Sequence, residues 1–239
     1  MSVQTIITAA GDSRLTFLGS GFSVPKSLVK VRGRTVIQSA LESYAVRGHD
    51  LTVALNAEET HDWKLDEHLA ALFPQAKVVR VPSQARGALA SALLSSEALV
   101  LDQPLVIAAG DSEIVGGIGS HIDGFMRDGA DAATIVFESS GKRWSYVSVD
   151  SRGQVVEVSE KYQVGHMATT GVFFFREAKS FLDSATWVLM NNAHVGGAFY
   201  VSSTLNYLIS KGVGISFNEI RPVDYKSWSL PVDFVGQSL

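Results

Sequence analysis

Apolar runs of strand length alternate along the chain with longer segments of helical period, the pattern of an α/β fold on a mixed, mostly parallel sheet. Residues 5–9, 51–55, 77–81, 105–109, 133–137, 146–149, 155–159, 171–175 and 215–219 read as strands. Residues 35–47, 66–73, 87–100, 117–128, 179–190 and 201–211 carry apolar positions three and four apart and read as amphipathic helices. Up to about residue 129 each strand is followed by a helix. Thereafter strand follows strand, with turn signals at 139–141 and 151–153, which predicts antiparallel additions to the sheet. No linker or repeat divides the chain, so residues 1–239 are expected to form one domain.

Composition limits what such a domain can do. With 46% hydrophobic residues the chain can fill a core of this size. Lys and Arg number 20 against 24 Asp and Glu, a net charge of -4, so the basic surface of a general nucleic-acid binder is missing and any anion site must be local. Cysteine is absent, which excludes disulfides, thiolate metal sites and cysteine nucleophiles. The apolar run 100–109 is broken by Asp102, Gln103 and Pro104, and Met1 to Gln4 carry no basic n-region. A cytoplasmic protein engaging neither membrane nor nucleic acid is the expectation.

One local anion site stands out. Between Ser13 and Leu41 lie Arg14, Lys26, Lys30, Arg32 and Arg34 with no acidic residue, in a chain that is acidic overall. They follow a strand that ends in Ala9-Ala10-Gly11-Asp12-Ser13, small enough for backbone N–H groups to approach phosphate oxygens. A polyphosphate site and a solvated surface loop both fit these residues. Neither the P-loop pattern nor the dinucleotide fingerprint occurs. Gly87, in Gln84-Ala85-Arg86-Gly87, either admits a flat base against the backbone or merely starts a helix. Asp111, just beyond strand 105–109, faces the crevice of such a sheet as an Mg²⁺ ligand, or caps a helix.

These motifs together carry a resemblance. Ala9-Ala10-Gly11-Asp12-Ser13-Arg14 with Pro25-Lys26 resembles the AAGxGxR…PK signature of the nucleotidyltransferase family, which includes sugar-1-phosphate pyrophosphorylases and small-molecule cytidylyltransferases. Trp144-Ser145-Tyr146, the run to Glu160-Lys161, and Gly171-Val172-Phe173-Phe174-Phe175 resemble the family's WSY…EK…G-[IV]-[YF]-[YF]-F pattern. Phe199-Tyr200-Val201 and Trp228 to Phe234 resemble a stand-alone branch found with capsule and secondary-metabolite pathways, some members of which make CDP-linked small molecules. The resemblance implies a Rossmann-like, three-layer (GT-A-like) nucleotidyltransferase fold, nucleotide-binding up to about residue 130 and acceptor-binding beyond.

By that resemblance Arg14, Lys26 and Asp111 are catalytic, with Asp111 holding Mg²⁺. Ala10, Gly11, Asp12, Ser13, Gln84 and Gly87 bind nucleotide, and Tyr146, Glu160, Lys161 and Gly171 bind the acceptor. The implied reaction couples an NTP, CTP first and dTTP or UTP next, to a small phosphorylated or phosphonate acceptor with release of pyrophosphate, in a monomer or a homodimer. Two departures bear on the acceptor: Ala198 stands where relatives have Glu, and Ser229-Leu230 where they have Gly-Thr. They leave hydroxyl recognition thin, point away from a hexose, and raise Asp224 and Asp233 as substitute carboxylates. A sugar-1-phosphate pyrophosphorylase, a glycosyltransferase using Asp111-Ser112-Glu113 as its DxD, and a catalytically silent nucleotide binder remain as rivals.

Overall fold

The computed structural model describes residues 2–46, 48 and 50–237. Its strands, in chain order, are β1 (Gln4–Ala9), β2 (Lys30–Val31), β3 (Arg34–Thr35), β4 (Asp50–Asn56), β5 (Lys77–Val81), β6 (Leu105–Ala109), β7 (Ser112–Ile114), β8 (Ala132–Glu138), β9 (Ser145–Val149), β10 (Val155–Glu160), β11 (Met167–Phe175), β12 (Ile215–Ile220) and β13 (Tyr225–Ser227). Its helices are α1 (Arg14–Leu18), α2 (Val36–Tyr44), α3 (Ala57–Trp63), α4 (Leu65–Leu72), α5 (Ala88–Leu94), α6 (Gly119–Arg127), α7 (Ala178–Met190) and α8 (Ser202–Ser210). Among the described residues no helix is long and apolar enough to cross a membrane.

Consecutive residues of the central strands face opposite layers, as the period of two requires. Ile7, Val106 and Phe174 pack with Leu41 of α2, Leu69 of α4 and Phe125 of α6. Their neighbours Ile6, Ile107 and Phe173 pack with Leu89 of α5, Phe181 of α7 and Leu205 of α8. The result is three layers, helix on sheet on helix, and strands buried on both faces explain the near-continuous apolar runs of the sequence.

The strands β5, β4, β1 and β6 are parallel, and β11 continues the sheet antiparallel to β6. Along its other edge β11 pairs with β8, which pairs in parallel with β12. The antiparallel pair β9 and β10 joins through the start of β11, with Met167 opposite Val147 and Ala168 opposite Tyr146. The expected antiparallel additions are therefore present, although β12 returns parallel.

β11 changes partner midway, from β9 at residues 167–168 to β6 at residues 172–175. Its register slips between Thr169 and Phe173, and the bulge centres on Gly171, with φ +81°. A Cβ on Gly171 would lie 3.0 Å from the Ala109 Cβ, so glycine suits both the backbone and the close approach of β6. The sheet forks at this point. Ile107, Ala109, Ser145 and Glu160 then stand around one hollow.

The second feature that shapes the site is the chain between Tyr225 and Phe234. β13 pairs antiparallel with β7, which begins one residue after Asp111. The Trp228 N–H donates to the Asp111 carbonyl at 2.8 Å. Trp228 and Phe234 pack with Phe17, Phe22 and Val29, so the same segment braces the basic loop that follows β1.

Helix ends move by a few residues from the sequence reading. The segment 35–47 becomes α2, capped by the Thr35 hydroxyl, which accepts the Gln38 N–H at 3.3 Å; position 47 lies outside the described residues. The segment 87–100 shortens to α5, where the Ser95 hydroxyl turns back onto the Ser91 carbonyl.

Candidate active site

Two hollows meet at the carboxyl ends of β1 and β6. One, of about 200 Å³, is walled by Ala10, Gly11, Lys26, Ser27, Gly87 and Ser91. The other, of about 230 Å³, lies in the fork of the sheet against Arg143, Ser145, Glu160, Gly171, Tyr200 and Ser229. Thr8, Ala88, Ala109 and Asp111 belong to both walls. Asp111 is thus at the seam.

Lys26 reaches that seam from the other side. Its Nζ donates to Asp111 Oδ2 at 2.6 Å, bringing together two residues 85 positions apart in sequence. Neither side chain is fully enclosed, at 20% and 26% exposure, so solvent and ligands can reach the pair. Asp111 caps no helix; it turns the chain from β6 into β7. Glu113 instead borders a different hollow, 3.8 Å from Arg34, so the two carboxylates that a DxD arrangement would bring together stand apart.

The other expected phosphate-side residues divide. Arg14 opens α1 and holds Asp12 through Nε at 3.1 Å and Nη2 at 2.8 Å, with Asp62 at 4.0 Å. That ion pair holds the Asp12 carboxyl below its ordinary value and pushes the Arg14 guanidinium up. Neither residue walls the hollow. Ser13 is buried, with its N–H and hydroxyl both donated to Glu59 Oε1 at 2.8 Å, and it turns away from the space it was expected to line. Gln84 is exposed and outside the wall.

Gly87 does wall the hollow, and its need for glycine has a cause the sequence did not carry. It holds φ +92° at the start of α5, and a Cβ there would lie 2.2 Å from the Phe199 carbonyl oxygen. The Phe199 N–H donates to the Arg86 carbonyl at 2.9 Å, and the Leu89 N–H to the Phe199 carbonyl at 3.2 Å. Gly87→Ala is therefore expected to overpack a backbone contact in a left-handed conformation, at a cost of about 1–3 kcal/mol. Thermal unfolding will check this, with roughly 2–4 °C lost per kcal/mol for a chain of this size.

In the fork, two expected acceptor residues stand elsewhere. Tyr146 is fully buried against Phe137 and Ala168, its hydroxyl on the Gly141 carbonyl at 2.8 Å; alternation along β9 turns its neighbour Ser145 to the hollow instead. Lys161 sits in the turn after β10 with φ +56°, exposed, its Nζ 5.0 Å from the Tyr200 ring centroid. Among the described residues Arg143 is the cation that walls this hollow. It was not singled out in the sequence because its partners lie far along the chain. Nη1 and Nη2 donate to the two Asp233 oxygens at 2.7 and 2.5 Å, Nη2 also to Ser227 and Ser229 at 2.9 Å each, and the guanidinium stacks on Trp144. Its Nε is buried with no partner among the described residues.

Asp233 is thus committed to Arg143 and to the Leu230 N–H, and Asp224 to Arg221 at the surface, so neither is free to replace a missing carboxylate. The wall contains Ser145, Thr170, Ser202, Ser227, Ser229 and Glu160, polar side chains that the sequence reading, apart from Glu160, had not placed there.

Glu160 accepts hydrogen bonds from the Ser202 hydroxyl at 2.8 Å and from the Ser145 hydroxyl. Burial outweighs these bonds and pushes its carboxyl above the ordinary value of 4.5. A raised native value means the contribution of Glu160 to stability is present below pH 4.5 and is lost as pH rises through the native value. Glu160→Gln is therefore expected to melt higher than wild type at neutral pH, with the difference closing on acidification. Melting curves from pH 4 to 8, as a series, test the sign.

Among the described residues no three His, Cys, Asp or Glu side chains gather into a set able to hold a metal ion. A single carboxylate facing open space suits Mg²⁺ that takes its other ligands from phosphates and water.

No family model matches the sequence, and no curated protein matches it. Solved structures do. A nucleoside-diphosphate-sugar pyrophosphorylase from Vibrio cholerae RC9 matches with TM-score 0.82 at 18% identity, covering 97% of each chain. The fold is that of the nucleotidyltransferases. An inositol-1-phosphate CTP transferase from T. maritima shares it with TM-score 0.74 at 17% identity, over 98% of this chain and 91% of that one. A protein assigned as a glucose-1-phosphate thymidylyltransferase from Bacillus anthracis, solved with sucrose, matches with TM-score 0.76 at 17% identity, over 98% and 92%.

Proposed function

We propose that this chain is a nucleotidyltransferase that couples an NTP to a small phosphorylated acceptor. The observation that carries the reading is the Lys26–Asp111 pair at the seam of two hollows, one rimmed by the small-residue loop and the other by polar side chains. An acceptor phosphate oxygen attacks the α-phosphorus, that P–O bond forms, the bond to the bridging oxygen breaks, and its electron pair leaves with pyrophosphate. The protein's part is positioning and neutralisation of charge. Lys26 serves the transferred phosphoryl group. Arg14, released from Asp12, serves the leaving pyrophosphate. Asp111 would hold Mg²⁺, which supplies charge neutralisation at the phosphates.

CTP is the favoured donor by resemblance, and the structural neighbour named as a CTP transferase is in keeping with it. The rim of serine and threonine hydroxyls with Glu160 supports an acceptor bearing hydroxyls as well as its phosphate or phosphonate, and so keeps a sugar-1-phosphate with dTTP or UTP as a second reading. The separate hollows that Asp111 and Glu113 border count against glycosyl transfer. The cysteine-free sequence fits a cytoplasmic enzyme.

Pyrophosphate release is the test. CTP, UTP, dTTP and GTP are each offered with hydroxylated phosphates, glucose-1-phosphate among them, and with phosphonates. Release that requires both substrates is the expected result. Nucleoside diphosphate release from a nucleotide sugar would replace this reading with glycosyl transfer, and NTP binding without any release would make the chain a silent binder.

A further inference from the structure

Beneath the small-residue loop lies a buried carboxylate that the reaction above does not use. Glu59, on α3, is 1% exposed. Its Oε1 accepts the Ser13 N–H and the Ser13 hydroxyl at 2.8 Å each. That hydroxyl, its one proton directed to Glu59, turns a lone pair to the Lys26 N–H, which donates to it at 3.0 Å. Glu59 is itself fixed from below: its N–H donates to Asn56 Oδ1 at 3.0 Å, and Asn56, fully buried, donates to the Ala10 carbonyl at 3.3 Å and to the Ser83 hydroxyl at 3.0 Å. A continuous buried chain thus runs from α3 to the backbone of the residue whose ammonium meets Asp111.

A carboxylate is an expensive way to hold a loop, because its desolvation must be offset by full hydrogen bonding. Here it is not, since Glu59 Oε2 has no partner among the described residues. An arrangement poor for stability but rigid at a catalytic backbone is what a site retains for geometry, where a misplacement of about 1 Å can cost about 10²-fold in rate.

We infer that Glu59 is the positioning residue for Lys26, acting through the Ser13 hydroxyl, and that it governs turnover more than NTP binding. The inference rests on the nucleotidyl-transfer reading for its kinetic arm, and a second arm stands apart from it. Ser13→Ala deletes only the hydroxyl link. It is expected to lower kcat about 10–100-fold, the range usual for residues that orient a catalytic group, with KM for NTP changing less than about threefold. Introduced into Lys26→Ala, the same change should cost nothing more, because the group it positions is gone; a loss of equal size in both backgrounds would mean a purely structural role. Glu59→Gln, which keeps an acceptor oxygen for Ser13, should recover most of what Glu59→Ala loses. The independent arm is the rate at which an amine-acylating reagent labels Lys26, read by peptide mass mapping without substrate. Ser13→Ala should raise that rate at least about threefold by loosening Lys26 from Asp111. Unchanged labelling in a folded variant overturns the inference whether or not the enzyme turns over. Wild type with no pyrophosphate release but the expected labelling change overturns the reaction and leaves the positioning intact.

Discussion

Lys26→Ala is expected to slow pyrophosphate release about 10²–10³-fold, the loss typical when one preorganised charge is withdrawn from a developing anion. Its Nζ lies 2.6 Å from Asp111 at the junction of the two hollows, where the transferred phosphorus must pass if both substrates occupy their own chambers. Stability should change less than turnover, by about 1 kcal/mol, because both side chains of the pair keep part of their surface in solvent. Steady-state kinetics on the folded variant will decide it, and an unaltered kcat removes Lys26 from the chemistry.

Asp111→Asn removes the other half of the pair while keeping its shape. If Asp111 holds Mg²⁺ directly, the Mg²⁺ concentration for half-maximal activity should rise by more than the roughly 10–100-fold that outer partners of a metal usually cost. The structure adds a second expectation. With its counter-charge gone, Lys26 becomes an unpaired cation facing the phosphate side, so NTP binding without metal should strengthen as that with metal weakens. Titrations of NTP with and without Mg²⁺ separate the two effects. A variant that follows the wild-type Mg²⁺ curve places the metal elsewhere.

The sequence spoke clearly where burial dictates residue type. The strand 105–109 matches β6 in full, because an enclosed parallel strand is apolar on both faces and ends at turns, and 77–81 matches β5 although that strand lies at the sheet edge with only Val81 buried. It was silent on α3, Ala57–Trp63, which is polar along most of its length and is set by the Asn56 cap. It was silent also on β7 and β13, whose three-residue pairing has no periodicity to read.

The same contrast divides the candidate site. Lys26 and Asp111 were singled out by their neighbours in the chain and do meet, and Glu160 and Gly171 do wall the fork. Tyr146 was misread by one step of a strand, since the period of two sends Ser145 inward in its stead. Lys161 was misread because a turn with positive φ carries it outward. Arg143 was passed over because Asp233, the residue that aims it, lies 90 positions away. Local signals identify which residues carry charge, whereas distant partners determine where the charge is delivered.

The segment from Tyr225 to Phe234 has a consequence for the life of the polypeptide. β1 pairs with β6 across about a hundred residues, so the phosphate loop and Asp111 can come together early on the ribosome. The acceptor wall cannot, because Tyr225, Ser227, Ser229 and the Asp233 that anchors Arg143 are all translated later than the rest of the wall. A nascent chain, or one clipped by a protease after β12, would keep the β1–β6 pairing but lose both part of the fork's wall and the Trp228 and Phe234 side chains that brace the loop after β1, so the whole site is completed last.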